Sequence, residues 1–175
     1  MRLAIVLTSV CIVAALILAA VYQNTAPLIA AQKEKQIQQA LKRAMPAADN
    51  FTTKQLDEKM YHQAYKGNKL IGYIVPAKGE GYSGDIEIMV GIDKSGTITG
   101  LEILNQQETP GLGARCIEVK YGEASPWFTK QFQKKKPEDI TPKNIEAITG
   151  ATITTKAIID IVKQDVMEFF DKIKK

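Results

Sequence analysis

The chain is poor in the residues that build metal sites and hydrolytic centres. It has one histidine, His62, and two cysteines, Cys11 and Cys116, among 175 residues. Cys11 sits inside an apolar run and Cys116 far along the chain, so no internal disulfide is expected. A single histidine without paired cysteines excludes the usual zinc sets, and no metal is expected. His62 lies between Tyr61 and Gln63 in a strand-like stretch, where an exposed or structural role fits. No serine, histidine and aspartate combine into a hydrolytic triad, so no catalytic residue is expected. Charge of one sign is also scarce. The formal net charge is +4 and the basic residues are scattered, which does not suggest nucleic acid. The one short run, Lys134-Lys135-Lys136, reads as a solvated loop. Repeats and low-complexity linkers are absent.

What is present begins with twenty uncharged residues, LAIVLTSVCIVAALILAAVY, at positions 3–22. As a helix they would span about 30 Å, a bilayer's hydrocarbon thickness. A cleaved signal peptide would be shorter and end in an A-x-A-like site. Here Leu18 lies two residues before Ala20, and Thr8-Ser9-Val10 before Cys11 is a poor lipoprotein site. The run therefore reads as an uncleaved anchor. Arg2 and the α-amino group precede it, so the positive-inside rule puts the N-terminus in the cytoplasm and residues 23–175 outside.

Residues 23–26 read as a short polar join, with Pro27 in the first turn of a following helix. Ile37, Ala40, Leu41, Ala44 and Met45 then form one apolar stripe, which Pro46 ends. The middle is strand-rich. Residues 60–66 and 69–76 flank Gly67-Asn68, a two-residue hairpin signal. Residues 85–92 alternate, with Ile86, Ile88, Val90 and Ile92 on one face. Residues 93–96 are a turn and 97–104 the next strand, whose apolar parity slips and predicts a bulge near Gly100. The stretch SPWFTKQF predicts one or two helical turns, with Trp127 and Phe128 filling core. A last helix starts near Thr154. Ile158, Val162, Val166, Phe169 and Ile173 are its core stripe, and Lys172, Lys174 and Lys175 suit its C-terminal dipole. The predicted fold class is α+β: a transmembrane helix, then one domain with a twisted, mainly antiparallel sheet flanked by helices, the C-terminal one long. The predicted division is 1–22 anchor, 23–46 connecting helix and 47–175 extracytoplasmic domain.

Three stretches carry the chemistry. In EAITGATITTK, residues 146–156, Gly150 permits a tight turn just before the last helix. A helix start has unpaired N–H groups and attracts phosphate. Two readings stand for its hydroxyls: an N-cap by Thr152 or Thr154, or an anion site at Thr152. Neither threonine has the Glu or Gln of a capping box three residues on. ETPGLGAR, residues 108–115, places Leu112 between two glycines. It is either a plain surface loop or a place where a flat ligand meets the backbone. GEGYSG, residues 79–84, offers the Tyr82 ring.

Taken in order, the anchor, the connecting helix, GYSGDIEIMVGID (81–93), NQQETPGLGAR (105–115) and EAITGATITTKAI (146–158) resemble the FMN-binding G subunit of Rnf-type electron-transport complexes. A relative is the C subunit of the sodium-pumping NADH:quinone reductase. The likeness spans nearly the whole chain, and the shorter G subunit fits its length better. It implies FMN esterified through its phosphate to the final threonine of an S/T-G-A-T motif, here Thr152. A flavin transferase would make the bond, reading Thr149, Gly150, Ala151 and their surroundings. The family usually has Asp three residues before the motif; this chain has Glu146, one methylene longer. Glu108, Thr109, Gly111, Leu112 and Gly113 would lie near the isoalloxazine, with Tyr82 and Trp127 as further ring contacts. The implied function is electron relay between ferredoxin and NAD in an ion-translocating membrane complex. The partners would be its other subunits, and no separate substrate site is expected. Alternatives are a C-type subunit, a stand-alone extracytoplasmic FMN-dependent reductase, or a scaffold whose threonines only cap.

Overall fold

A computed structural model describes residues 2–57 and 59–173. Lys174 and Lys175, expected to complement the last helix's dipole, lie outside the described residues. The chain divides into two compact units, Met1–Gln38 and Gln39–Lys175.

The first unit is helical. Its described residues lie within α1 (Arg2–Ala44), which contains an 18-residue window of mean hydropathy 2.9 with none of it buried. That is long and apolar enough to cross a membrane. The expected polar join at 23–26 is instead helical. Its polar side chains turn back on the helix: Asn24 donates to the Ala20 carbonyl at 2.7 Å, and Thr25 to the Val21 carbonyl at 3.0 Å. Each thereby satisfies its own polarity without leaving the helix. Pro27 consequently lies inside α1 rather than in a first turn.

In the second unit five antiparallel strands follow one another as a meander. They are β1 (Asn50–Leu56), β2 (Lys59–Lys66), β3 (Lys69–Glu80), β4 (Asp85–Asp93) and β5 (Ile98–Asn105). The β2–β3 hairpin turns at Gly67, whose φ of 57° suits glycine. The β2 ladder reaches Ile74 on β3, so Pro76 lies beyond it and withholds no N–H from that pairing. At the β4–β5 turn the Asp93 carboxylate accepts from the Ser95 and Thr97 amides at 2.8 and 2.9 Å. Against burial, which raises it, the Ser95 hydroxyl, donating at 2.6 Å, and these amides hold its pKa below the usual carboxylate range. The predicted bulge is present. Gly91 faces Gly100 but Ile92 faces Ile98, leaving Thr99 as the extra residue. β1 had no sequence signal, and β3 runs four residues past the predicted end at Pro76, to Glu80.

One sheet face carries the main core. Ile86, Ile88, Val90 and Ile92 are buried against α3 (Thr152–Ile173) through Ile158, Val162, Val166 and Phe169. Each such side chain contributes about 1.5–3 kcal/mol by leaving water. Ile173 packs at the rim. The other face meets the end of α1: the Ala44 carbonyl lies so close over Gly91 and Gly100 that a Cβ at either would collide with it. Thr99 Oγ1 donates to that same carbonyl at 2.8 Å. The helix ends there because Met45 precedes Pro46, which disfavours α geometry.

A 3-10 turn (Gly113–Ile117), α2 (Trp127–Lys130) and a second 3-10 turn (Pro137–Asp139) connect β5 to α3. Phe128 and Phe132 are buried in the core. The lysine run is only partly solvated. The Lys134 amide and Lys135 carbonyl bond Ile98 at the edge of β5. Lys135 Nζ donates to the carbonyls of Gln131 and Asn144.

Candidate functional site

The turn ahead of α3 is built from two buried residues and a glycine. Ile148 and Ala151 are buried, and the Ala151 amide bonds the Ile148 carbonyl at 2.9 Å. Gly150 takes φ of 77° between them. Thr155, also buried, fastens the turn from the helix side. Its Oγ1 accepts from the Ile148 amide and donates to the Ala151 carbonyl, both at 3.0 Å. The first intrahelical bond runs from the Thr155 amide to that carbonyl. The amides of Thr152, Ile153 and Thr154 precede it and have no intrahelical acceptor.

Thr152 is the first residue of α3, two positions earlier than predicted. It is exposed, and among the described residues its hydroxyl has no hydrogen-bond partner. Capping belongs to neither candidate threonine, because the hydroxyl that secures the turn is that of Thr155. Thr154 points elsewhere: its Oγ1 donates to Glu108 Oε2 at 2.5 Å in a buried bond.

Glu108 is 5% exposed. Its other oxygen, Oε1, accepts from the amides of Tyr82 and Ser83 at 2.8 and 3.1 Å. Gly81 and Gly113 leave room for this carboxylate, since a Cβ at either would collide with it. The Thr109 carbonyl then accepts from Leu112 and Ala114, starting the first 3-10 turn. Cys116 lies buried behind it. Burial and the Glu108 charge push its thiol up to about 11, so it is inert at neutral pH.

These segments enclose an open cleft of about 370 Å³. Glu108, Thr109, Leu112, Gly113, Gly150, Ala151 and Thr152 line it, with Tyr82 beside them. Gly111 and Thr149 are not in the lining; both are exposed. Trp127 is elsewhere, edge-on to Phe128 with Lys120 Nζ 4.6 Å over its ring. Two lining residues had not been anticipated, Ile153 and Thr154. Ile153 had a signal, since it is an isoleucine five residues before Ile158 and so off the core stripe. Thr154 had none, because its partner is 46 residues away.

The cleft is chemically two-sided. Tyr82, Leu112 and Ile153 are 67%, 43% and 58% exposed, an unusual gathering of uncovered apolar surface. The same cleft holds the partnerless Thr152 hydroxyl and the start of a 22-residue helix, which favours anions. A ligand with a flat apolar part and a phosphate fits both sides, as FMN has. No group of three or more His, Cys, Asp or Glu side chains could hold a metal among the described residues.

Residues 81–166 match the family described as FMN-binding domain. The chain is 41% identical over 168 residues to the G subunit of the proton-translocating ferredoxin:NAD(+) oxidoreductase complex of Clostridium ljungdahlii, covering 91% of this chain and 86% of that one. The chain belongs to the G subunits of ion-translocating oxidoreductase complexes. A second such subunit, from Methanosarcina acetivorans, is 31% identical over 162 residues, covering 85% and 82%. NqrC of Shewanella oneidensis, a crystal structure, shares the fold with a TM-score of 0.54 at 18% identity, over 75% of this chain and 73% of that one.

Gln131 grips the backbone of Glu146, three residues ahead of Thr149. Its Oε1 accepts from the Glu146 amide at 2.7 Å and its Nε2 donates to the Glu146 carbonyl at 3.2 Å. The Glu146 side chain is left exposed, on the same stretch as Thr152.

Proposed function

We propose that this chain is a membrane-anchored flavoprotein subunit relaying electrons within an ion-translocating ferredoxin:NAD oxidoreductase complex, with FMN esterified to Thr152. Bound FMN supplies one- and two-electron redox chemistry that no side chain here possesses. The observation that carries the reading is the exposed, partnerless Thr152 hydroxyl at the first residue of α3, in a cleft of about 370 Å³. In the proposed linkage Thr152 Oγ1 would lose its proton and take the place of one phosphate oxygen, so that one water is lost in sum. The amides of the first α3 turn then favour the phosphate charge. Tyr82, Leu112 and Ile153 offer the apolar surface for the ring system. A flavin transferase approaching the folded domain meets Glu146, Thr149 and Thr152 exposed, while Ile148 and Thr155 are buried. Residues 1–22 anchor the chain with the N-terminus in the cytoplasm, residues 23–46 connect, and residues 47–175 lie outside. The other subunits of the complex are its partners.

The test is the intact mass of the chain purified from its native membrane. A gain of one FMN less one water, mapped to the peptide containing Thr152, is expected. Thr152→Ala should lose the added mass and keep its thermal transition. An unmodified wild-type chain, or flavin retained in the variant, would refute the assignment.

A further inference from the structure

We propose that Glu108 is the positioning residue of the cleft, clasping its three walls together and holding a fixed negative charge behind the flavin. This rests on the reading of Thr152 as the flavin site. One carboxylate joins segments that are distant in sequence: Oε1 takes two amides of the 81–84 loop, and Oε2 takes the Thr154 hydroxyl on α3. Its own backbone opens the 108–113 loop. The Glu108 amide bonds Gln106 Oε1 at 2.7 Å, which fixes its direction. A loosened clasp would free Tyr82 on one wall and the first turn of α3, with Thr152, on the other.

The chemistry of the three bonds favours a carboxylate. Both amides and, as oriented, the hydroxyl are donors, and an ionised carboxyl is the side chain that only accepts. At 5% exposure it is screened little by water. A negative charge in the cleft wall opposes the addition of electrons nearby, so it lowers the potential of a flavin held there. Glu108 does not need to touch the ring for this, since its oxygens are already taken by protein donors.

Two substitutions separate reach from charge. Glu108→Asp keeps the charge and shortens the arm. Glu108→Gln keeps the arm and removes the charge. In the full chain expressed without flavin transferase, Glu108→Asp should speed hydrogen exchange at the Tyr82 and Ser83 amides by about tenfold or more. In the flavin-loaded chain, Glu108→Gln should move the midpoint potential to more positive values. Thr154→Val, which loosens the clasp without removing charge, should shift the potential less than Glu108→Gln does. Unchanged exchange in Glu108→Asp overturns the clasp. An unchanged potential in Glu108→Gln, or an equal shift in Thr154→Val, overturns the charge assignment. A wild-type chain that carries no flavin sinks the Thr152 reading instead, and the exchange arm then decides the clasp by itself.

Discussion

Thr149, Thr152, Thr154 and Thr155 lie within seven residues, yet their surroundings differ. Thr149 is exposed outside the cleft, Thr152 is exposed within it, Thr154 is bonded to a buried carboxylate, and Thr155 is bonded to backbone on both sides of a turn. This makes their substitutions distinguishable. Thr155→Val keeps the shape but strands the Ile148 amide in the core, a cost of about 1–3 kcal/mol. Thr155→Ser restores the acceptor and should recover most of it in urea unfolding. Gly150→Ala acts by another route. A Cβ there would lie 2.9 Å from Leu112 Cδ2, the end of an exposed side chain that can move aside. The φ of 77° is the larger penalty, about 1–2 kcal/mol for a residue with a side chain. Gly150→Ala should therefore unfold at lower urea, and equal midpoints would show that the turn relaxes freely. The bond from Thr154 to Glu108 was not legible in the sequence. It joins positions 46 apart and exists only once α3 has packed beside the 108–113 loop.

Among the elements, legibility followed how much of each side chain's surroundings is local. β4 announced itself because its apolar residues alternate against one core face, and the parity slip in β5 located the bulge at Thr99. β1 was silent because NFTTKQL is mostly exposed and gives a period-two reading nothing to register. The hydropathy drop at 23–26 suggested a break in α1, but it does not register side chains bonding the preceding turn. The end of α1 offers a test of packing. Gly91→Ala puts a methyl into the Ala44 carbonyl, whereas a Cβ at Gly67 would have nothing within 4 Å. The first should cost about 1–3 kcal/mol by overpacking, and the second only its backbone strain at φ of 57°. Matched urea curves would compare them. β1 and β2 carry a pH effect as well. His62 faces Thr53, its Nδ1 3.0 Å from Thr53 Oγ1, and burial lowers its pKa below the ordinary 6.5. The unfolded chain then takes up this proton first, so the contribution is present at neutral pH and lost as pH falls below 6.5. The thermal midpoint should drop between pH 7.5 and 5.5, and His62→Gln should flatten that drop.

For the whole molecule, the consequential prediction concerns which side of the membrane holds the cleft. The compact unit Gln39–Lys175 includes the last turn of α1, with Ala40, Leu41 and Ala44 buried. A fragment starting at Gln39 should therefore fold with a higher thermal midpoint than one starting at Ala47, which lacks those residues. Such a fragment cannot report sidedness, so the full chain is needed. Arg2 is the charge immediately before the apolar run, and a long following domain crosses largely regardless of its own charge. On the proposed orientation that bias keeps the N-terminus in the cytoplasm and sends Thr152 outside, where the proposed covalent bond would retain the cofactor without relying on equilibrium affinity. Alkaline phosphatase fused to the C-terminus should be active, because it folds only outside the cytoplasm, and a green fluorescent protein fusion at the same point should be dark. Arg2→Glu should lower phosphatase activity by weakening the retention signal. An inactive phosphatase fusion with a bright fluorescent one would place the cleft in the cytoplasm and overturn the proposed orientation.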